Sequence, residues 1–108
     1  MEVSRLINEK KVIISLLAEL RNDDEEKKPH WDDYGISKEK FASIVEMMVD
    51  EGLIKNASIS RGGIGNKAQA VFLNNAKVTL KGLDYLQDNS ALVKTYKGLK
   101  EIRDWLPF

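Results

Sequence analysis

Residues 37–54 read SKEKFASIVEMMVDEGLI, and this stretch decides the fold. Ser37 is a residue type that caps helices, and Phe41, Ile44, Val45 and Met48 then recur at three-to-four-residue spacing, so a helix with one apolar stripe follows it. Gly52 stands where a helix stops in a left-handed residue. Leu53-Ile54 then opens an extended segment, expected over Leu53 to Ser60. Downstream, Arg61-Gly62-Gly63-Ile64-Gly65-Asn66-Lys67 is a glycine-rich turn with a basic residue at each end, and Ala70-Val71-Phe72-Leu73 returns as a second strand, closing a hairpin.

Outward from that centre, Leu6, Ile7, Ile13, Leu16, Leu17 and Leu20 predict an amphipathic helix over roughly residues 4–21, with Ser4 as its cap. Asn22 to Lys28 is a charge run ending at Pro29, and Pro29 to Gly35 has room for one helical turn carrying Trp31 and Tyr34 inward. Thr79 caps a short helix with Leu80, Leu83 and Leu86 inward. After the break at Asn89-Ser90, a last helix is expected over Ala91 to Leu106, with Leu92, Tyr96, Leu99, Ile102 and Leu106 on one side and Pro107 ending it. Helix, turn, helix and hairpin, in that order, make a winged helix-turn-helix with an extra C-terminal helix. The class is mainly α with a small β-hairpin (α+β). One domain is expected over 1–108, with its core at about 4–88 and the tail helix at about 90–106.

Composition narrows the function classes. The 108 residues are 43% apolar and 31% charged, which is the balance of a globular chain rather than a disordered one. There is no cysteine, so disulfides and thiol chemistry are excluded and a reducing cytoplasmic setting is expected. No apolar run is long enough for a membrane span, and Met1-Glu2 does not start a signal peptide. Asn56-Ala57-Ser58 fits a glycosylation pattern that matters only in a secreted protein. The 17 basic and 17 acidic residues cancel, but unevenly: residues 1–54 hold 8 against 13, and residues 55–108 hold 9 against 4. A dedicated nucleic-acid binder is usually basic overall.

Three segments resemble the YjcQ-like family: Gly35 to Phe41 with Ile44 to Ile54, Val78 to Leu86, and Lys94 to Leu106. The tail, KTYKGLKEIRDWL, is the distinctive part. The resemblance implies a winged-helix fold found in bacterial and prophage-encoded proteins of no established activity, so it speaks to fold and not to mechanism.

Nothing in the residue inventory assembles a catalytic or cofactor site, and neither an enzyme, a cofactor nor a small-molecule substrate is expected. His30 is the single histidine, so His-paired nucleophiles and histidine metal sites lack their parts, and beside Pro29 and Trp31 it reads as a partly packed loop residue. Asp23, Asp24, Glu25 and Glu26 are consecutive, whereas calcium loops alternate their ligands. The glycine turn matches no phosphate-loop spacing and precedes no helix.

The binding surface is where the residues disagree. In a DNA-reading winged helix, the helix after Ser37 enters the major groove. Lys38, Lys40 and Ser43 are its candidate contacts, yet the side opposite the stripe carries Glu39, Ser43, Glu46 and Asp50. Carboxylates there oppose phosphates. The wing is basic: Lys55, Arg61 and Lys67 are candidate nucleic-acid contacts, with Lys77 and Lys81 behind them, although charged edge strands also serve to prevent unwanted pairing. In the tail, Lys97–Glu101 and Lys100–Asp104 pair at i,i+4 spacing. Gly98 suggests close backbone packing, and Trp105 and Phe108 suggest a docking surface, so a homodimer through the tail is expected. Two classes stay open. The reading preferred from the sequence, which fold analogy favours, is a wing-led, dimeric nucleic-acid-binding or regulatory protein. The alternative, which local charge favours, is an adaptor that binds a protein through the acidic helix face or the tail.

Overall fold

A computed structural model describes residues 2–22 and 28–106. Helix α2 (Lys38–Asp50) starts at the expected cap, where the Ser37 hydroxyl accepts the Lys40 backbone N–H at 3.0 Å. It buries Phe41, Ala42, Ile44, Val45 and Met48. Gly52 adopts φ +74°, so that its N–H reaches the Val49 carbonyl at 3.0 Å and the Leu53 N–H reaches Met48 at 2.9 Å. Those paired bonds satisfy carbonyls that would otherwise be orphaned at the helix end, and they turn the chain directly into a strand.

Helix α1 (Glu2–Arg21) begins before Ser4, which lies within the helix rather than capping it. The side chains of Leu6 and Ile7 lie outside the described residues, as does the acidic run Asp23–Glu26. Val12, Ile13, Ile14, Ser15, Leu16 and Leu17 are all buried, six in succession, so this part of α1 is enclosed on every side. A stripe pattern finds one face; enclosure comes from the neighbours, because α2, α3 and the tail all pack around it. The expected turn at Trp31–Tyr34 is a 3₁₀ helix that buries Tyr34 and stacks its ring on Phe41 with centroids 5.8 Å apart. His30 is exposed and caps this turn: its Nδ1 accepts the Asp32 N–H at 3.3 Å, while its own N–H donates to Asp33 Oδ2 at 2.8 Å.

The hairpin is built in two stages. Strands β1 (Ile54–Lys55) and β4 (Lys77–Val78) pair antiparallel at its base, and β2 (Ser58–Gly62) pairs with β3 (Lys67–Phe72) beyond it as the wing. The expected single strand Leu53–Ser60 is interrupted at Asn56, whose φ of +65° no strand contains. In the wing, a register shift beside Ser60 and Arg61 leaves Gln69 as the extra residue of a bulge.

Helix α3 (Leu80–Asp88) is capped by Thr79, whose Oγ1 accepts the Gly82 N–H at 3.1 Å and donates to the Gly52 carbonyl. Of the leucines expected inward, only Leu86 is buried; Leu83 is at the surface and Leu80 is 80% exposed. The helix is rotated from that expectation because Gly82 faces the core. A Cβ there would lie 2.3 Å from the Leu53 carbonyl oxygen and 2.7 Å from Val78 Cγ1, so only glycine permits this docking.

The expected helix over Ala91 to Leu106 is three short pieces instead: α4 (Ser90–Val93), a 3₁₀ turn at Leu99–Glu101, and α5 (Ile102–Trp105). Gly98 breaks it with φ +109° and ψ 172°, a conformation close to glycine-only. In a continuous helix, Tyr96 and Trp105 would point to opposite sides and their Cα atoms would be about 13 Å apart along the axis. The break brings their rings together at 5.0 Å, and the Trp105 indole N–H donates to Thr95 Oγ1 at 2.8 Å.

Candidate interaction surfaces

Two elements position the expected DNA-facing residues, and they place opposite charges against each other. The wing lies alongside α2, and the Arg61 guanidinium pairs with the Glu46 carboxylate. The cleft between them, about 480 Å³, is lined from the helix by Glu39, Ser43 and Glu46 and from the hairpin by Arg61, Lys67 and Gln69. Lys40 turns the other way and pairs with Glu9 of α1, whereas Lys38 is exposed in the first turn of α2. Of the candidate contacts, then, Arg61 and Lys40 are held by carboxylates of the same chain. Lys67 remains exposed at the start of β3, and Ile64 at the wing tip is 98% exposed.

Lys55 does not join the wing. It lies at the hairpin base, directly opposite Lys77 in the β1–β4 register, and both are exposed. Like charges directly opposite in a ladder repel.

The tail is engaged within its own chain. Trp105 is half-buried against Tyr96, and Lys11 Nζ both donates to the Trp105 carbonyl at 2.8 Å and sits 5.3 Å from the centroid of its ring. Arg103 Nη2 donates to the Asp32 carbonyl at 2.8 Å. Ile102 and Leu106 are buried. Gly98 has no atom within 4 Å of where a Cβ would stand, so its role is torsional and the close packing expected of it belongs to Gly82. The i,i+4 ion pairing read from Lys97 to Asp104 disappears with the helix. Phe108 lies outside the described residues.

Beneath the tail runs a buried hydroxyl relay. Tyr34 donates to Ser15 Oγ at 3.0 Å, Ser15 to the Tyr96 hydroxyl at 2.9 Å, and Tyr96 to Glu19 Oε2 at 2.6 Å. This direction gives every hydroxyl one donor and one acceptor role at most, and it ties the 3₁₀ turn and the tail to α1. Burial pushes both tyrosine hydroxyls well above their ordinary range, and the carboxylate at the end of the relay adds to the effect at Tyr96.

A larger open groove, about 710 Å³, lies where α1, the end of α2 and α3 meet. Its apolar surface comes from Ile13, Met47, Met48, Leu53 and Tyr85, and burial also raises the Tyr85 hydroxyl above its ordinary range. Glu9, Glu51, Asp84 and Asp88 supply carboxylates, against Lys10 and Lys81. The sequence reading missed this groove because each element contributes only two to four of its residues. The signal that was present is Met47, a large apolar residue off the α2 stripe and 40% exposed.

Among the described residues, no group of three or more His, Asp or Glu side chains is arranged to hold a metal ion, and no helix is long and apolar enough to cross a membrane.

Comparison with known proteins adds family but no chemistry. The family described as "YjcQ protein" matches residues 12–105. A Bacillus subtilis (strain 168) protein described as "Uncharacterized protein YjcQ" is 30% identical over 74 residues, covering 68% of this chain and 73% of that protein. No solved structure matches.

Proposed function

The chain belongs to the YjcQ family, and from that premise we propose that it is a non-catalytic, cytoplasmic protein-binding module on a winged-helix scaffold. The observation that carries this reading is the pairing of Arg61 with Glu46. It sets a carboxylate beside the wing's arginine on the helix that a DNA reader would insert, and that helix also presents Glu39 and Asp50 to solvent. A phosphate backbone approaching there meets carboxylates, so the counterion-release gain that drives DNA binding is missing where it is needed. Fluorescence anisotropy of random duplex DNA, titrated at low and at moderate salt, tests it. The expected result is no salt-dependent binding at micromolar protein.

A second reading, DNA binding led by the hairpin, is favoured by one observation. Lys55 and Lys77 stand opposite each other without a carboxylate partner among the described residues, and an anion would relieve their repulsion. Binding that weakens steeply with salt and is lost on Lys55→Ala with Lys77→Ala would establish this reading in place of the first.

A further inference from the structure

We propose that the groove between α1, α2 and α3 binds a cationic amphipathic helix of a protein partner; this rests on the protein-binding reading above and names the surface and the partner's chemistry. The floor is apolar and open, and it contains two methionines, Met47 and Met48, whose unbranched side chains adapt to an incoming surface. An amphipathic helix laid in such a groove presents side chains at i, i+3, i+4 and i+7 to the floor and its polar flanks to the rim.

The rim sets the sign of the partner. Lys40 already neutralises Glu9. The Lys81 side chain passes Gly52, its Cδ 3.4 Å from where a Cβ would stand, and it remains one of the groove's cations. Glu51, Asp84 and Asp88 then face Lys10 and Lys81 at the groove, and exposed Asp50 on the last turn of α2 adds a further carboxylate, so the rim is acidic on balance. Lysine or arginine on the flanks of a bound helix complements this rim, and an acidic helix is repelled by it.

The test uses the whole chain and a synthetic peptide of about 18 residues, longer than the range in which isolated helices are marginal in water, so that ordering in the groove costs less. The peptide has leucine at i, i+3, i+4 and i+7 and lysine elsewhere; a control replaces the lysines with glutamates. In an amide NMR titration, the lysine peptide is expected to shift Ile13, Met47, Leu53 and Tyr85 and their neighbours, and the glutamate peptide to leave them unmoved. Asp84→Lys with Asp88→Lys should weaken binding at least about tenfold, and Met47→Asp should weaken it independently. Asp84 and Asp88 are exposed and Met47 is 40% exposed, and the amide spectrum of each unbound variant reads whether the fold is kept. Shifts centred elsewhere, equal binding of both peptides, or unchanged affinity in the charge-reversed variant would each overturn the proposal. The DNA titration separates the two levels: a chain that binds the lysine peptide in the groove and also binds duplex DNA loses the exclusively protein-binding reading and keeps the groove.

Discussion

Two glycines are indispensable here for unrelated reasons. Gly82 is helical and ordinary in its torsions, but the Leu53 carbonyl and Val78 occupy the space a methyl would need. Gly82→Ala should cost about 1–3 kcal/mol through overpacking and loosen α3 from the hairpin base. Gly98 has open space around it and a backbone at φ +109°, so Gly98→Ala should cost about 1–3 kcal/mol through torsion alone. Urea denaturation of both variants checks the magnitudes. Hydrogen exchange separates the causes, with α3 amides losing protection in the first variant and tail amides in the second. The tyrosine relay makes a prediction of a different kind. In the unfolded chain Tyr34 and Tyr96 ionise near their ordinary value of 10.0, whereas the fold holds their protons to higher pH. Their contribution is therefore complete below pH 10 and is lost as pH rises above it, because the unfolded state then binds fewer protons than the native one. Tyr96→Phe leaves the Ser15 hydroxyl without its acceptor and should cost about 1–2 kcal/mol at neutral pH. It should also make the alkaline decline shallower, as measured by stability against pH in the two proteins.

At the scale of elements, α2 and the wing behave as one unit. The packing of β3 along α2 supplies the cohesion, and the Arg61–Glu46 pair contributes position more than energy, since both side chains are partly exposed to water. An exposed pair of this kind is worth less than about 1 kcal/mol. Arg61→Ala should therefore leave the denaturation midpoint nearly unchanged; a loss well above that amount would mean the wing depends on its ion pair. Beneath the pair, half-buried Val71 of β3 packs against the buried core and anchors the hairpin, with Ile59 opposite it in the ladder.

At the scale of the whole molecule, the tail closes the core by clasping α1 and the 3₁₀ turn. Trp105→Ala removes the contact with Tyr96, the hydrogen bond to Thr95 and the ring beneath Lys11 together. It should cost about 3 kcal/mol, toward the lower end for a large aromatic because the ring is only half-buried. Tail amides should then exchange well before those of α1. The helix–turn–helix–hairpin order and the α+β class were legible in the chain itself: the Ser37 cap, the Gly52 stop and the Thr79 cap of Gly82 are bonds within five positions, and a stripe such as Phe41, Ile44, Val45 and Met48 needs only helical periodicity. What lay beyond it depends on residues distant in sequence. The rotation of α3 follows from Gly82 meeting Leu53, the break of the tail from Trp105 reaching back to Thr95 and Tyr96, and the pairing of Arg61 with Glu46 from the wing lying along α2. The groove follows from three elements converging. Local propensity decides the elements from α1 through the hairpin, but contacts between elements decide how the tail folds and which faces stay open to a partner. The sequence alone therefore determined the architecture of this protein, and only the tertiary structure decided its available surfaces.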